Sequence, residues 1–215
     1  MDRDRYHHGD LRSTLLDGAE ALVRERDVES WSLREASARI GVSPSAAYHH
    51  FASRDALLSA LSQRVMVQLA ARLSSAVDGV DGGPRQRLIA YGVSYVRWAF
   101  DDPAVARLAF RGGRTVDIVI SPHPRDVLVV ELDRLVADGG LAASARPGAE
   151  FVFWAAVHGL AVLLIDGLLH LEDRQAVDAE AERVAGAVLA GLAQETVPVT
   201  PWPTAQTAQT KRLAR

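Results

Sequence analysis

The sequence predicts an all-α chain. Three observations predict it. Apolar residues recur at three- and four-residue steps along most of the chain. Glycine, proline and Ser/Asp positions cut those runs into ordinary helix lengths. The one strand-like stretch, Thr115–Ile120 (TVDIVI), has no partner strand, so it reads as an irregular or helical connector.

The elements follow in order. Asp10 caps a first helix to about Arg26, with Leu11, Leu15, Ala19, Leu22 and Val23 on one face. Ser32 is the N-cap of a short helix from Leu33 to Ile40, and Glu35 stands where a capping box needs it. Gly41 ends that helix in a left-handed turn. Ser43 caps the next helix, Pro44 to Phe51, with proline at a position whose missing N–H does no harm. Ser53 caps a long helix from Arg54 to about Val77. Asp78–Pro84 (DGVDGGP) is the clearest break. Helices then run from Arg85 to about Phe100 and from Asp102-Pro103 to about Arg111, where Gly112-Gly113 intervenes. Pro122–Asp138 is helical and closed by Gly139-Gly140. A long apolar helix covers Pro147 to about Leu171, and a last helix covers Gln175 to about Glu195. Pro198–Arg215, with three prolines and the echo TAQTAQT, reads as a disordered tail.

Composition excludes several classes. The chain has 215 residues, 48% apolar and 24% charged, which suits a folded globular protein. With 24 basic and 27 acidic residues the net charge is −3, so any nucleic-acid contact must be local. The absence of cysteine excludes disulfides, thiolate zinc sites, cysteine-held iron–sulfur clusters and a cysteine nucleophile. The opening MDRDRYHHGD has no apolar run, so no signal peptide is expected and the setting is cytoplasmic. The apolar helix approaches the roughly 20 residues a membrane span needs. It also carries His158, Asp166 and His170 and lacks a flanking basic cluster, so it reads as buried in a core or subunit interface.

Ser32–Arg54 carries the chemistry. The first helix of this segment buries Leu33, Ala36 and Ile40, Gly41 turns the chain, Val42 plugs the gap, and Ala47 allows a close crossing. The second then presents Ser45, Ala46, Tyr48 and His49 outward. Small residues let its backbone approach a major groove, and hydroxyls can meet phosphates or base edges.

The stretch from Tyr6 to Leu61 resembles the N-terminal domain of the TetR family of bacterial one-component regulators. The resemblance lies in Tyr6-His7-His8-Gly9-Asp10-Leu11-Arg12, Ser32-Leu33-Arg34-Glu35, Gly41-Val42-Ser43-Pro44 and Tyr48-His49-His50-Phe51. The first of these motifs is typical of one subgroup, whose C-terminal domain is marked by Trp, His and Gly. Trp154, His158, Gly159 and Asp166-Gly167 look like that signature.

The resemblance implies a three-helix helix-turn-helix DNA-binding domain at 1–54 and a larger helical ligand-binding and dimerisation domain at 55–197, ahead of the tail at 198–215. It implies a homodimer joined through the helices 147–171 and 175–195, and a palindromic double-stranded operator with half-sites about 34 Å apart. It implies a repressor released by a small-molecule effector, with a coupling typically worth about 1–3 kcal/mol. Ser32 and Arg54 match positions that touch phosphates, Arg54 standing where a lysine is common. Tyr48 matches an aromatic that meets the DNA backbone or a thymine methyl, and Ser43, Pro44, Ser45 and Ala46 form the groove-facing start of the helix. His49 departs from the arginine of close relatives and, when neutral, contributes less to phosphate binding.

One observation runs the other way. Residues 1–54 hold 8 arginines and 9 carboxylates. The expectation is that Asp17, Glu20, Glu25 and Asp27 lie away from DNA, and that His7, His8, His49 and His50 add charge when protonated beside it.

Other candidates have two readings each. Trp98, Phe110, Trp154 and His158 are the candidate ligand-binding residues for an apolar or aromatic effector; the three aromatics are equally at home in a core, and His158 reads more readily as a buried, hydrogen-bonded core histidine. Asp166 and His170, four apart on one face, read as structural, paired with each other or across a dimer. The His7-His8 and His49-His50 pairs diverge on a helix and lack accompanying acids, so no metal is expected. There is no nucleophile elbow, phosphate loop or dinucleotide glycine pattern, so neither a catalytic site nor a cofactor is expected. The alternative reading is a helical ligand carrier or enzyme that uses the C-terminal pocket without DNA.

Overall fold

A computed structural model of the chain describes residues 8–26, 28, 30–111 and 123–194. Every regular element among the described residues is helical. The order is α1 His8–Glu25, α2 Leu33–Arg39, α3 Pro44–His50, α4 Arg54–Asp78, α5 Pro84–Asp101, α6 Pro103–Arg111, α7 Pro124–Ala137, α8 Ala149–Ile165 and α9 Arg174–Gln194. A short 3₁₀ turn at Ala143–Ala145 precedes α8. Two compact units form: Met1–Ala71 with Trp98–Pro124, and Arg72–Arg97 with Arg125–Arg215.

Local chemistry sets most of the ends. In the first unit α1 starts at His8, two residues ahead of the expected cap Asp10. Helix α2 starts at a complete capping box: the Ser32 hydroxyl accepts from the Glu35 N–H, and the Glu35 carboxylate accepts from the Ser32 N–H. It stops at Gly41, whose φ of 73° is the left-handed region that a side chain would resist. Ser43 caps α3 through the Ala46 N–H, and Ser53 caps α4 through the Ala56 N–H. Asp102 caps α6 through the Val105 N–H. The core gathers Leu15, Leu16, Ala19, Leu22 and Val23 of α1 with Leu33, Ala36, Ala47 and Phe51, then Leu57, Leu61 and Val65 of α4. Burying one such leucine stabilises the fold by about 1.5–3 kcal/mol. Leu11, Ile40 and Val42 are only half-buried.

In the second unit Tyr91 and Phe153 meet edge to face, and Val157, Leu160, Val177, Ala181, Ala185 and Leu189 fill the space around α8 and α9. Gly92 makes this packing possible, since a Cβ there would lie 3.2 Å from the Ala185 Cβ and 3.3 Å from the Val157 Cγ1. Arg97 forms a two-pronged pair with Asp178, and Arg146 joins Asp133 to Glu150.

The apolar helix is shorter than its composition implies. It ends at Ile165, not near Leu171, because Asp166-Gly167 forms a C-terminal cap. Gly167 has φ 68°, and the Leu168 N–H returns to the Leu163 carbonyl at 2.9 Å. Asp166 and His170 therefore do not share a helical face, and the expected four-residue pairing between them is corrected. Helix α9 begins one residue earlier than expected, capped by Asp173 through the Ala176 N–H. No helix among the described residues is long and apolar enough to cross a membrane. The expected connector at 115–120, the break at Gly112-Gly113 and the tail at 198–215 lie outside the described residues.

Candidate nucleic-acid interface

The α2–turn–α3 segment is built so that α3 buries one residue type and exposes another. Ala47 is completely buried, and Phe51 closes the end of α3 with its N–H on the Ala47 carbonyl at 3.0 Å. The outward side carries Ser45, His49 and Tyr48, the last 54% exposed despite its large ring. Pro44 and Ala46 are half-buried, and Ser43 and Ser32 are exposed. The structure thus brings Ser45, Tyr48 and His49 together on one accessible face of a seven-residue helix, with Ser43 exposed at its N-cap.

Two of the expected phosphate contacts already have local work. The Ser32 hydroxyl donates to the Glu35 carboxylate at 2.9 Å while it accepts from the Glu35 N–H. These bonds, joined by Arg26 at 3.0 Å, hold the Glu35 carboxyl below the usual carboxylate range. Reaching a phosphate would take the Ser32 proton away from Glu35. Arg54 lies over the indole of Trp31, 4.9 Å from its centre, with its side chain about one quarter exposed. Its Nε and Nη2 are buried and unbonded, and its Nη1 lies 3.7 Å from the exposed Asp55 carboxylate. Trp31 itself is buried and went unremarked in the sequence. The signal was there: an apolar residue directly before an N-cap is the staple position.

Several of these acids are held in ion pairs among the described residues. Arg64 reaches both Asp17 and Glu20, Arg24 reaches both Glu20 and Asp102, Arg39 holds Glu25, and Arg26 holds Glu35. The carboxylates of Asp17, Glu20 and Glu25 are thus spent on arginines of the same unit, while Asp27 lies outside the described residues. Arg39 holds the Glu25 carboxyl low, chiefly by hydrogen bonding.

The four candidate ligand residues fall into two groups. In the first unit Trp98 and Phe110 meet edge to face at 6.0 Å, with Trp98 buried. In the second unit Trp154 stacks on His158 at 5.0 Å, and the Tyr95 hydroxyl lies 2.9 Å from His158 Nδ1. Trp154 is a hydrogen-bond partner of Tyr95, and burial pushes the Tyr95 phenol up and the His158 imidazole down. The phenol stays protonated, and burial favours the neutral imidazole beside it. Tyr95 was missed because its role depends on a contact 63 positions away. Among the described residues no group of three or more His, Asp or Glu side chains could hold a metal ion.

An all-α chain with a capped helix-turn-helix in one unit and an apolar helix packed on a second long helix in the other has the build of a bacterial transcriptional regulator. The comparisons with known proteins agree. Residues 15–61 match the model for bacterial regulatory proteins of the tetR family, and residues 88–188 match the tetracyclin repressor-like C-terminal domain. Together these matches span more than half of the chain, which belongs to the TetR family of transcriptional regulators. A solved structure of a protein with unknown function from Rhodococcus sp. RHA1 is 29% identical with TM-score 0.74, covering 89% of this chain and 100% of that one. A TetR-family transcriptional regulator from Pectobacterium atrosepticum is 22% identical with TM-score 0.68, covering 90% of this chain and 99% of that one. The TetR-family regulator PfmR from Thermus thermophilus is 19% identical with TM-score 0.61, covering 83% of this chain and 98% of that one. A search of curated proteins finds no match.

Proposed function

We propose that the chain is a ligand-responsive repressor that binds a palindromic operator as a homodimer and is released by a small apolar or aromatic effector. The observation that carries the DNA reading is the outward row of α3. Ser45, Tyr48 and His49 are exposed while Ala47 and Phe51 anchor the same helix from beneath. A short helix with small residues at its start and an exposed aromatic further along suits entry into a major groove. Ser43, Pro44 and Ala46 set its approach, and Ser32 and Arg54 flank it. In this reading the first 54 residues address DNA, and residues 55–197 bind effector and dimerise, in the cytoplasm.

The homodimer rests on α8 and α9. Helix α8 is apolar on every side, and Val152, Trp154 and Leu163 are each more than 40% exposed. An all-round apolar helix needs cover, and a second copy of α8 and α9 supplies it. The effector reading rests on two aromatic groups, Trp98 with Phe110 and Trp154 with His158, each in its own unit.

The test is selection from a random duplex pool by the purified full chain at a stated moderate salt. The expected result is an enriched palindrome with half-site centres about one helical turn apart or a little more. No enrichment by a dimer shown to be ligand-free by mass spectrometry would sink the DNA reading and leave a helical ligand-binding protein or enzyme.

A further inference from the structure

We propose that Arg12 is a phosphodiester contact beside the recognition helix, a role that rests on the DNA reading of α3. The inference starts from how the first unit uses its arginines. Arg24, Arg26, Arg39 and Arg64 are each bonded to one or two carboxylates. Their charge is compensated inside the protein, and a phosphate gains little from them.

Arg12 is held differently. Its guanidinium lies over the Phe51 ring, with Cζ 5.1 Å from the centre, and among the described residues no carboxylate pairs with it. Phe51 is the residue that ends α3, so the ring seats this cation beside the C-terminal end of the helix that carries Tyr48 and His49. The Arg12 side chain is exposed while Phe51 is buried. A guanidinium held over a ring spends none of its N–H donors on a carboxylate, and they form the planar fork that suits a phosphate. The ring restricts the cation without neutralising it. An aromatic seat thus does what a carboxylate seat cannot: it orders the arginine and leaves its full charge for an anion.

Arg54 uses the same device over Trp31, but two of its three guanidinium nitrogens are buried. Arg12 is therefore the freer of the two ring-held arginines. Four carboxylates of this segment, Asp17, Glu20, Glu25 and Glu35, are held by arginines, while Arg12 keeps its charge uncompensated at the end of α3.

The experiment is fluorescence-anisotropy titration of the full chain with a labelled mixed-sequence duplex of about 30 base pairs, repeated from roughly 50 to 200 mM salt. Four proteins are compared: the unaltered chain, Arg12→Gln, Arg12→Lys and Arg39→Gln. Each phosphate contact adds about 0.9 to the slope of log affinity against log salt. Arg12→Gln in a dimer should therefore lower the slope by about two, so that the unaltered chain loses about tenfold more affinity than the variant across that range. Arg12→Lys should keep the slope, and Arg39→Gln, whose cation is already paired with Glu25, should not change it. A purely structural role over Phe51 would leave the slope alone, since salt dependence counts charges and not packing. An unchanged slope in Arg12→Gln, with the unaltered chain binding, overturns this proposal and leaves the α3 reading standing. No salt-dependent binding by the unaltered chain overturns both.

Discussion

The segment from Ser32 to Arg54 and the pair α8–α9 solve opposite problems. The first is made of two seven-residue helices, too short to persist alone, so side chains fix each end. Ser32, Glu35, Gly41 and Ser43 write its shape into local hydrogen bonds and one left-handed turn. Its buried part is small, and its outward part is polar and specific in position. The α8–α9 pair is long, closely packed and carried by apolar burial, and the outer side of α8 is apolar as well. A surface of the first kind holds information for a partner of defined chemistry. A surface of the second kind holds little beyond the need to be covered.

Substitutions can sharpen that contrast. The largest expected effect is at the anchor of the first region. Phe51→Ala removes the ring that closes α3 and seats Arg12, and should destabilise the first unit by about 3–5 kcal/mol. Denaturant unfolding would show it as a lower midpoint at unchanged slope. A cost below about 1 kcal/mol would mean that α3 is not held by its core side.

Gly41→Ala isolates the turn. An added Cβ would meet no atom within 4 Å, so its cost is the backbone strain of φ 73° alone, about 1–2 kcal/mol. The same measurement checks it, and a neutral result would contradict the turn geometry.

In the second region Tyr95→Phe removes a hydroxyl shared by Trp154 and His158. Both are partly exposed and water can substitute, so the expected loss is about 1 kcal/mol. Near-ultraviolet circular dichroism of Trp154 should change with it.

The smallest effect is a pH dependence. Burial holds the His158 imidazole below its ordinary value, so the unfolded chain takes up this proton first. Stability should be flat above about pH 6.5 and fall as pH drops from there toward the folded-state value. His158→Gln should flatten that portion of the curve, and an unaltered curve would contradict the assignment.

How much was legible follows the same division. Ser32, Gly41, Ser43, Pro44 and Ser53 act on neighbours within four positions, so their roles could be read directly. The stack of Arg54 on Trp31 and the pairs Arg64–Asp17 and Arg24–Asp102 join residues far apart in sequence, and no local pattern encodes them. The end of the apolar helix was misplaced because composition outweighed a local signal. Leu168, Leu169 and Leu171 prolong the apolar run, yet Asp166-Gly167 had already stopped the helix. The candidate ligand residues were the least legible. A pocket wall and a core use the same aromatics, and only the fold shows that Trp98 and Phe110 belong to one unit while Trp154 and His158 belong to the other.

The most direct test of the account joins its two regions in one titration. Leu163→Arg places a charge on the exposed apolar side of α8 and should yield a folded monomer by sedimentation velocity and circular dichroism. On the palindrome enriched by selection, the unaltered chain should bind with two subunits per duplex. The monomeric variant should lose most of that affinity while α1–α3 remain intact. A variant that is monomeric and binds as tightly as the unaltered chain would contradict the claim that two copies, joined through α8 and α9, read the operator together.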